Sequence, residues 1–243
     1  MKKRKIYIGT SGWNYNHWVN EFYPGDLPKK NWLQFYIEKG FKTVELNSSF
    51  YHLPNSSTFE KWRKSVPKDF IFAVKASRYI THMKKLKDPD KTVKKFLESS
   101  KELKKKLGPL LFQFPPAWKF NSERFNKFTK KLPAKYKYTF EFRNDTWWND
   151  EVLNLLKKNK SAFCIYELNG TITPKEITAD FIYIRLHGPD GKYQGNYSEK
   201  ALSNWAGFIS KWNKKGKEIY CYFDNDQKGY AVKNALKLKE MIN

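Results

Sequence analysis

The sequence predicts an α/β fold, a TIM-like (β/α)8 barrel of parallel strands with an abbreviated unit after the sixth strand. Three observations predict it. Short apolar runs alternate with helix-like stretches along the whole chain, the pattern of parallel strands joined by right-handed crossovers. The runs number eight and the chain has 243 residues, matching the eight strands and the ~250 residues typical of such a barrel. Several runs also end in charged or amide residues spaced two apart, as in Glu45 and Asn47, Glu141 and Arg143, and Arg185 and His187. Alternate residues of a strand share a face, so these polar groups lie on one side, opposite oily partners such as Val44, Phe140 and Ile184.

Taken in order, strands are expected at Lys5–Gly9, Thr43–Asn47, Phe70–Ala76, Leu110–Phe114, Tyr138–Arg143, Ala162–Tyr166, Phe181–His187 and Glu218–Phe223. Helices are expected at Trp32–Lys39, Thr58–Ser65, Pro89–Leu107, Ser122–Lys131, Asp150–Lys158, Ser198–Lys214 and Lys228–Met241. Glu167–Thr178 reads as a loop, and Gly188-Pro189-Asp190-Gly191 as a turn or mobile lid. Asn55 to Thr58 offers N-cap residues, Pro89 suits a first helical turn after Asp88, and Ser198 is the expected cap of its helix. An open doubly wound sheet shares this alternation, since period alone does not show closure.

No Pro/Gly/Ser-rich hinge or repeat divides the chain, so residues 1–243 are read as one domain. Met1-Lys2-Lys3-Arg4-Lys5 has the charge of a signal-peptide start, but only Ile6, Tyr7 and Ile8 follow before Gly9. No stretch approaches the ~20 apolar residues of a membrane span. Cys164 and Cys221 lie in apolar runs and read as buried free thiols of a reducing, cytoplasmic compartment. The net charge of +23 admits a nucleic-acid partner. Yet 41 of the 47 basic residues are Lys, mostly in helical stretches such as Lys104-Lys105-Lys106, which favours solvated faces.

The strand ends carry a resemblance. Gly9-Thr10-Ser11-Gly12-Trp13, Val44 to Tyr51, Phe72-Ala73-Val74-Lys75, Thr81-His82 and Leu111 to Pro116 match a signature in order, followed by Glu141-Phe142-Arg143 with Trp147, Arg185 to Gly188 and Tyr222 to Asp226. Together they resemble the family called domain of unknown function 72 (YecE-like). The resemblance runs from about residue 5 to the C-terminus. It implies a TIM-barrel-like fold and no assigned reaction. Asp224 stands where the family varies.

In a barrel, chemistry sits at the C-terminal ends of the strands. Candidate catalytic groups are Glu45, Lys75, Glu141 and His187. Candidate substrate-binding groups are Ser11, Trp13, Asn47, Tyr51, Gln113, Arg143, Trp147, Arg185, Asn225 and Asp226. Buried ion networks are a poor source of stability compared with apolar packing, so charges on this many strands suggest use. Glu45 or Glu141 would act as acid or base, Arg143 and Arg185 would clamp a phosphate or carboxylate, and the rim aromatics would stack a ring. A metal-free site is favoured and no cofactor is expected. The alternative places a divalent ion between His187, His82 and Glu45, Glu141 or Asp226. No Walker loop, strand-borne G-x-G-x-x-G or G-x-S-x-G is present.

The leading expectation is thus an enzyme doing acid–base or hydrolytic chemistry on a small anionic substrate. A nucleic-acid-binding protein or metal-dependent nuclease would show binding that falls steeply with salt. A non-catalytic scaffold would bind no small molecule. No membrane partner is expected, and no oligomeric state is assigned.

Overall fold

The structure, a computed structural model, describes residues 4–242; Met1 to Lys3, which open the basic run considered above, and Asn243 lie outside them. Its strands are β1 (Ile6–Thr10), β2 (Thr43–Leu46), β3 (Ile71–Lys75), β4 (Leu107–Phe114), β5 (Tyr138–Phe142), β6 (Ala162–Leu168), β7 (Thr171–Ile172), β8 (Phe181–Leu186) and β9 (Glu218–Phe223). The α-helices are α1 (Trp32–Glu38), α2 (Ser48–Tyr51), α3 (Ser56–Lys64), α4 (Asp90–Ser100), α5 (Ser122–Lys130), α6 (Asp150–Lys158), α7 (Glu199–Lys214) and α8 (Tyr230–Ile242). The strand order is β1-β9-β8-β6-β5-β4-β3-β2, with β7 off the path beside β6. A parallel bridge between Ser11 and Glu45, one residue past β1 and within β2, links the two ends of that order. The fold is a TIM-like α/β barrel of eight parallel strands, nearly closed.

The described residues divide into two compact units. The first holds the chain up to Glu45, Ile165–Thr173 and the chain from Asp180 onward; the second holds Leu46–Cys164 and Pro174–Ala179. In the first, Tyr23 stacks on Trp32 at 4.6 Å and Tyr36 on Phe41 at 4.1 Å. In the second, Phe112, Phe114, Phe125, Phe140 and Phe142 are all fully buried and meet edge-on or stacked. Phe112 and Phe114 of β4 and Phe140 and Phe142 of β5 are the β-period positions opposite Gln113 and Glu141, and Phe125 of α5 packs on them, so the same alternation that makes the core aims the polar groups away from it.

Several boundaries differ from the sequence expectation for physical reasons. The helix expected over Pro89–Leu107 ends at Ser100, whose hydroxyl donates back to the Phe96 carbonyl at 2.8 Å. A 3-10 segment, Lys101–Lys106, follows, with Lys104 in left-handed backbone at φ 51°. β4 begins at Leu107, earlier than the expected Leu110, and so takes in Pro109. The register steps from Phe72↔Leu107 to Val74↔Leu110, so a bulge lies where the proline has no N–H to give. Pro89 occupies the N-cap position and not the first turn, because Asp88 turns at φ 43°. After β6 comes a hairpin to β7, where Leu168 pairs with Thr171. Its Asn169 (φ 51°) and Gly170 (φ 74°) both have the positive φ of a type I′ turn. That hairpin stands where a full crossover helix would be, the abbreviated unit.

Asn55 caps α3 by accepting from the Thr58 N–H at 2.9 Å, and Ser198 caps α7 by accepting from Ala201 N–H at 3.2 Å. Among the described residues no helix is long and apolar enough to cross a membrane. Cys164 and Cys221 are buried, in β6 and β9, and neither forms a disulfide.

Candidate functional site

In the first unit the polar face of β8 builds a wholly buried network. Tyr183, Arg185 and His187 alternate along that strand and its last step, and each is fully enclosed. Arg185 grips Glu45 with two hydrogen bonds, Nε to Oε2 at 3.0 Å and Nη2 to Oε1 at 2.7 Å, the paired geometry that suits a guanidinium to a carboxylate. The Tyr183 hydroxyl donates to Oε2 at 2.6 Å, and the Ser11 hydroxyl donates to Oε1. Burial, then the Glu45 charge, pushes the Tyr183 phenol well above its usual range, so it stays a donor.

Arg185 also reaches Asp224, one residue past β9, from Nη2 to Oδ2 at 3.0 Å. Asp224 Oδ2 meets His187 Nδ1 at 2.9 Å, and His187 Nε2 lies 3.3 Å from Arg185 Nη1. A guanidinium has donors only. His187 Nε2 therefore accepts, its proton sits on Nδ1, and the ring is neutral in this arrangement. Two carboxylates and one guanidinium then leave the network with a net negative charge.

Nearby, Asp226 takes a partner from outside the core. Its Oδ2 lies 3.1 Å from His17 Nε2, and its carbonyl accepts from Trp18 Nε1 at 2.8 Å. Burial, and next the charge of Asp224, raise the Asp226 carboxyl above its ordinary range, while His17 pulls it down. Asn225 is buried between the loops, donating to the Gly195 carbonyl and to Asn234 Oδ1, both at 2.9 Å.

In the second unit the ends of β3, β4 and β5 carry a different set. Glu141 is fully buried; Gln113 Nε2 donates to its Oε1 at 2.9 Å, and Arg143 Nε donates to the same oxygen. Lys75 is buried with its ammonium 4.1 Å over the Phe50 ring, a cation–π contact. The hydroxyl of Ser49 holds the Lys75 carbonyl at 2.6 Å. His82 is half-buried and receives or gives a hydrogen bond at Nδ1 with Thr81 Oγ1, 2.9 Å away. Its imidazole is pushed down to about 4, first by burial, then by Lys75 and Arg78, against a smaller upward pull from Glu141.

The expected residues therefore fall into two groups. Ser11, Glu45, Arg185 and His187 meet in the first unit; Lys75, Gln113, Glu141 and Arg143 belong to the second. Trp13 is half-buried and its carbonyl accepts from Tyr23 at 2.5 Å. Asn47 leads into α2, and Tyr51 is 72% exposed. Trp147 lies in the second unit's aromatic core, stacked on Phe142 at 5.0 Å with Nε1 bound to the Trp118 carbonyl. It packs; it faces no opening. Among the described residues no cluster of three or more His, Cys, Asp or Glu is arranged to hold a metal ion.

One participant, Tyr183, escaped the sequence reading, whereas Asp224 was expected at the strand ends without its partner. Tyr183 stands two residues before Arg185, so the alternation already on view places it on the polar face. Asp224 is tied to His187 through the β8–β9 pairing, which aligns Leu186 with Phe223 and is not written in either strand alone.

Comparison with known proteins agrees with this architecture. The family described as "Protein of unknown function DUF72" matches residues 7–243. The protein YunF of Bacillus subtilis (strain 168), of the UPF0759 group, is 25% identical over 271 aligned residues, which cover 98% of this chain and 95% of YunF. YecE of Escherichia coli (strain K12) is 28% identical over 142 residues, 57% of this chain and 48% of YecE. The crystal structure of a DUF72 family protein from Thermotoga maritima MSB8 superposes with a TM-score of 0.90 at 30% identity, covering 98% of this chain and 99% of that one. With a match spanning nearly its whole length, the chain belongs to the DUF72 family.

Proposed function

We propose that this DUF72 protein is a cytoplasmic enzyme performing acid–base or hydrolytic chemistry on a small anionic substrate, centred on the ends of β3, β4 and β5. The supporting observation is the balance of charge there. Lys75 and Arg143 stand with the single carboxylate Glu141, all three with little or no exposure of the charged side chain. Cations so enclosed favour an incoming phosphate or carboxylate, which would meet them away from water. Burial first, and then Lys75 and Arg78, depress the His82 imidazole beside them.

In this reading Glu141 moves the proton, oriented by Gln113 through the bond to its Oε1. Lys75 and Arg143 stabilise charge on the substrate, and His82, neutral at neutral pH, offers hydrogen bonds without adding charge. Glu45 we assign to positioning, since Ser11, Tyr183 and Arg185 already occupy both of its oxygens. The two buried, unbridged thiols suit a reducing compartment.

The test follows the His82 ring by NMR while inorganic phosphate is added. A bound anion should raise the His82 pKa from about 4 by roughly one unit or more. Glu141→Gln should keep a cooperative thermal transition yet lose turnover on any substrate found. A His82 titration curve untouched by saturating phosphate would end the reading.

A further inference from the structure

The loops after β1, β8 and β9 line a shallow cavity, open to solvent, of about 510 Å3, a volume within the ~300–1,000 Å3 of small-molecule pockets. Lys192 and Tyr193 line it from the loop after β8, Asp226 and Lys228 from the loop after β9, and His17 from the loop after β1. All belong to the first unit, and none takes part in the chemistry proposed above.

Three features mark the cavity as built. Tyr193 (φ 66°) and Lys228 (φ 51°) both hold left-handed backbone that side chains resist, and such strain gathers at ligand sites. The loop bearing Tyr193 is pinned: a Cβ on Gly188 (φ +115°) would lie 2.0 Å from the Gln194 carbonyl oxygen, and Tyr193 N–H donates to the His187 carbonyl at 2.7 Å. Asn225, fully buried, ties this loop to the next through the Gly195 carbonyl. The walls are therefore held in place before any ligand arrives.

Their charge names the ligand. Glu21, also on the wall, is taken up by Lys233 at 2.7 Å. Lys192 and Lys228 then stand against Asp226, whose carboxylate bonds to His17. The groups facing this pair are Asp224 from the end of β9, Lys192 from the loop after β8, Glu21 from the loop after β1, and Lys228 from its own loop. A proton added to the His17–Asp226 pair removes the opposing carboxylate charge that lines the cavity without a lysine partner of its own, Glu21 being held by Lys233 and Asp224 by Arg185. We propose that the cavity binds a phosphate group and that binding is coupled to uptake of a proton by the His17–Asp226 pair. The position agrees by analogy with other barrels, whose phosphate sites often form after the seventh and eighth parallel strands, here β8 and β9.

The test uses the full chain and two anions, inorganic phosphate near pH 8 and sulfate near pH 6 and pH 8, because sulfate keeps one charge at both. The His17 ring should shift saturably in NMR, with sulfate bound about tenfold more tightly near pH 6 than near pH 8. Asp226→Asn should bind sulfate about tenfold more tightly than wild type near pH 8 and lose the pH dependence. The double change Lys192→Ala, Lys228→Ala should weaken binding by about tenfold or more. No saturable shift at His17, an affinity indifferent to pH, or an Asp226→Asn protein that binds like wild type would each overturn the proposal. His82 separates the two sites: a response at His82 alone overturns this inference and leaves the earlier reading standing, and a response at His17 alone does the reverse.

Discussion

Arg185 lies between Glu45 and Asp224, and His187 completes a ring of contacts in which nearly every polar atom has its partner. Glu141, by contrast, lies among cations: Arg143 binds it directly, and Lys75 and Arg78 act with Arg143 on His82. The first unit thus closes its charge on itself with an acid in excess, and the second leaves a base-rich end. Enclosed charge is costly unless answered. The first network meets its own hydrogen-bonding needs despite that excess, and the cations of the second are those on which we propose that an anion binds.

The largest test of this contrast is Arg185→Met. It strands Glu45 and Asp224 in the interior and should cost about 3–5 kcal/mol in urea unfolding. Lys75→Met should cost about 1–2 kcal/mol, because its stem and the Phe50 ring remain packed. Equal losses would erase the distinction.

The second test is pH. The folded His82 pKa, about 4, lies below the ordinary value of 6.5. The unfolded chain therefore takes the proton first. The contribution of His82 is present above about pH 6.5 and falls away as pH drops toward 4. Unfolding free energies measured between those values should decline for wild type and less steeply for His82→Gln. An identical slope in the two proteins would place the acid sensitivity elsewhere.

A smaller effect is expected from Asp224→Asn, about 1–2 kcal/mol, since it removes the surplus acid while leaving Arg185 paired with Glu45. Were it as damaging as Arg185→Met, the ring of contacts would depend on Asp224 more than on Glu45. The smallest effect compares caps: Asn55→Ala on α3 should cost about 1 kcal/mol and Ser198→Ala on α7 about half that. Asn55 Oδ1 accepts from Thr58 N–H at 2.9 Å and from two hydroxyls besides, whereas Ser198 holds one N–H at 3.2 Å.

Much of the barrel was legible in the chain because a two-residue period and a helical period alternate along it, except after β6. Asp150–Lys158 and Glu218–Phe223 begin and end where the sequence places them. Charge partners were harder to read. That Arg185 would meet Glu45 depends on a bridge between chain segments far apart, and the His187–Asp224 contact on neighbouring strands in register. The Lys101–Lys106 run suits a helix by propensity, yet Leu103 is its one buried apolar residue and the backbone turns left-handed at Lys104, so no amphipathic helical face continues. The hairpin after β6 did carry a signal, the Asn169-Gly170 pair, which is a strong mark of a two-residue turn. Trp147 follows a polar strand end, but an indole stacks where a phenylalanine face is offered.

Cys164 and Cys221 are both sealed within strands, and burial lifts the Cys221 thiol far above its usual range. Neither competes for a maleimide or a spin label in the folded state. A cysteine introduced at an exposed position such as Lys192 would then be the single reactive sulfur, so the cavity loops can be tagged and followed in the native background without removing either resident thiol.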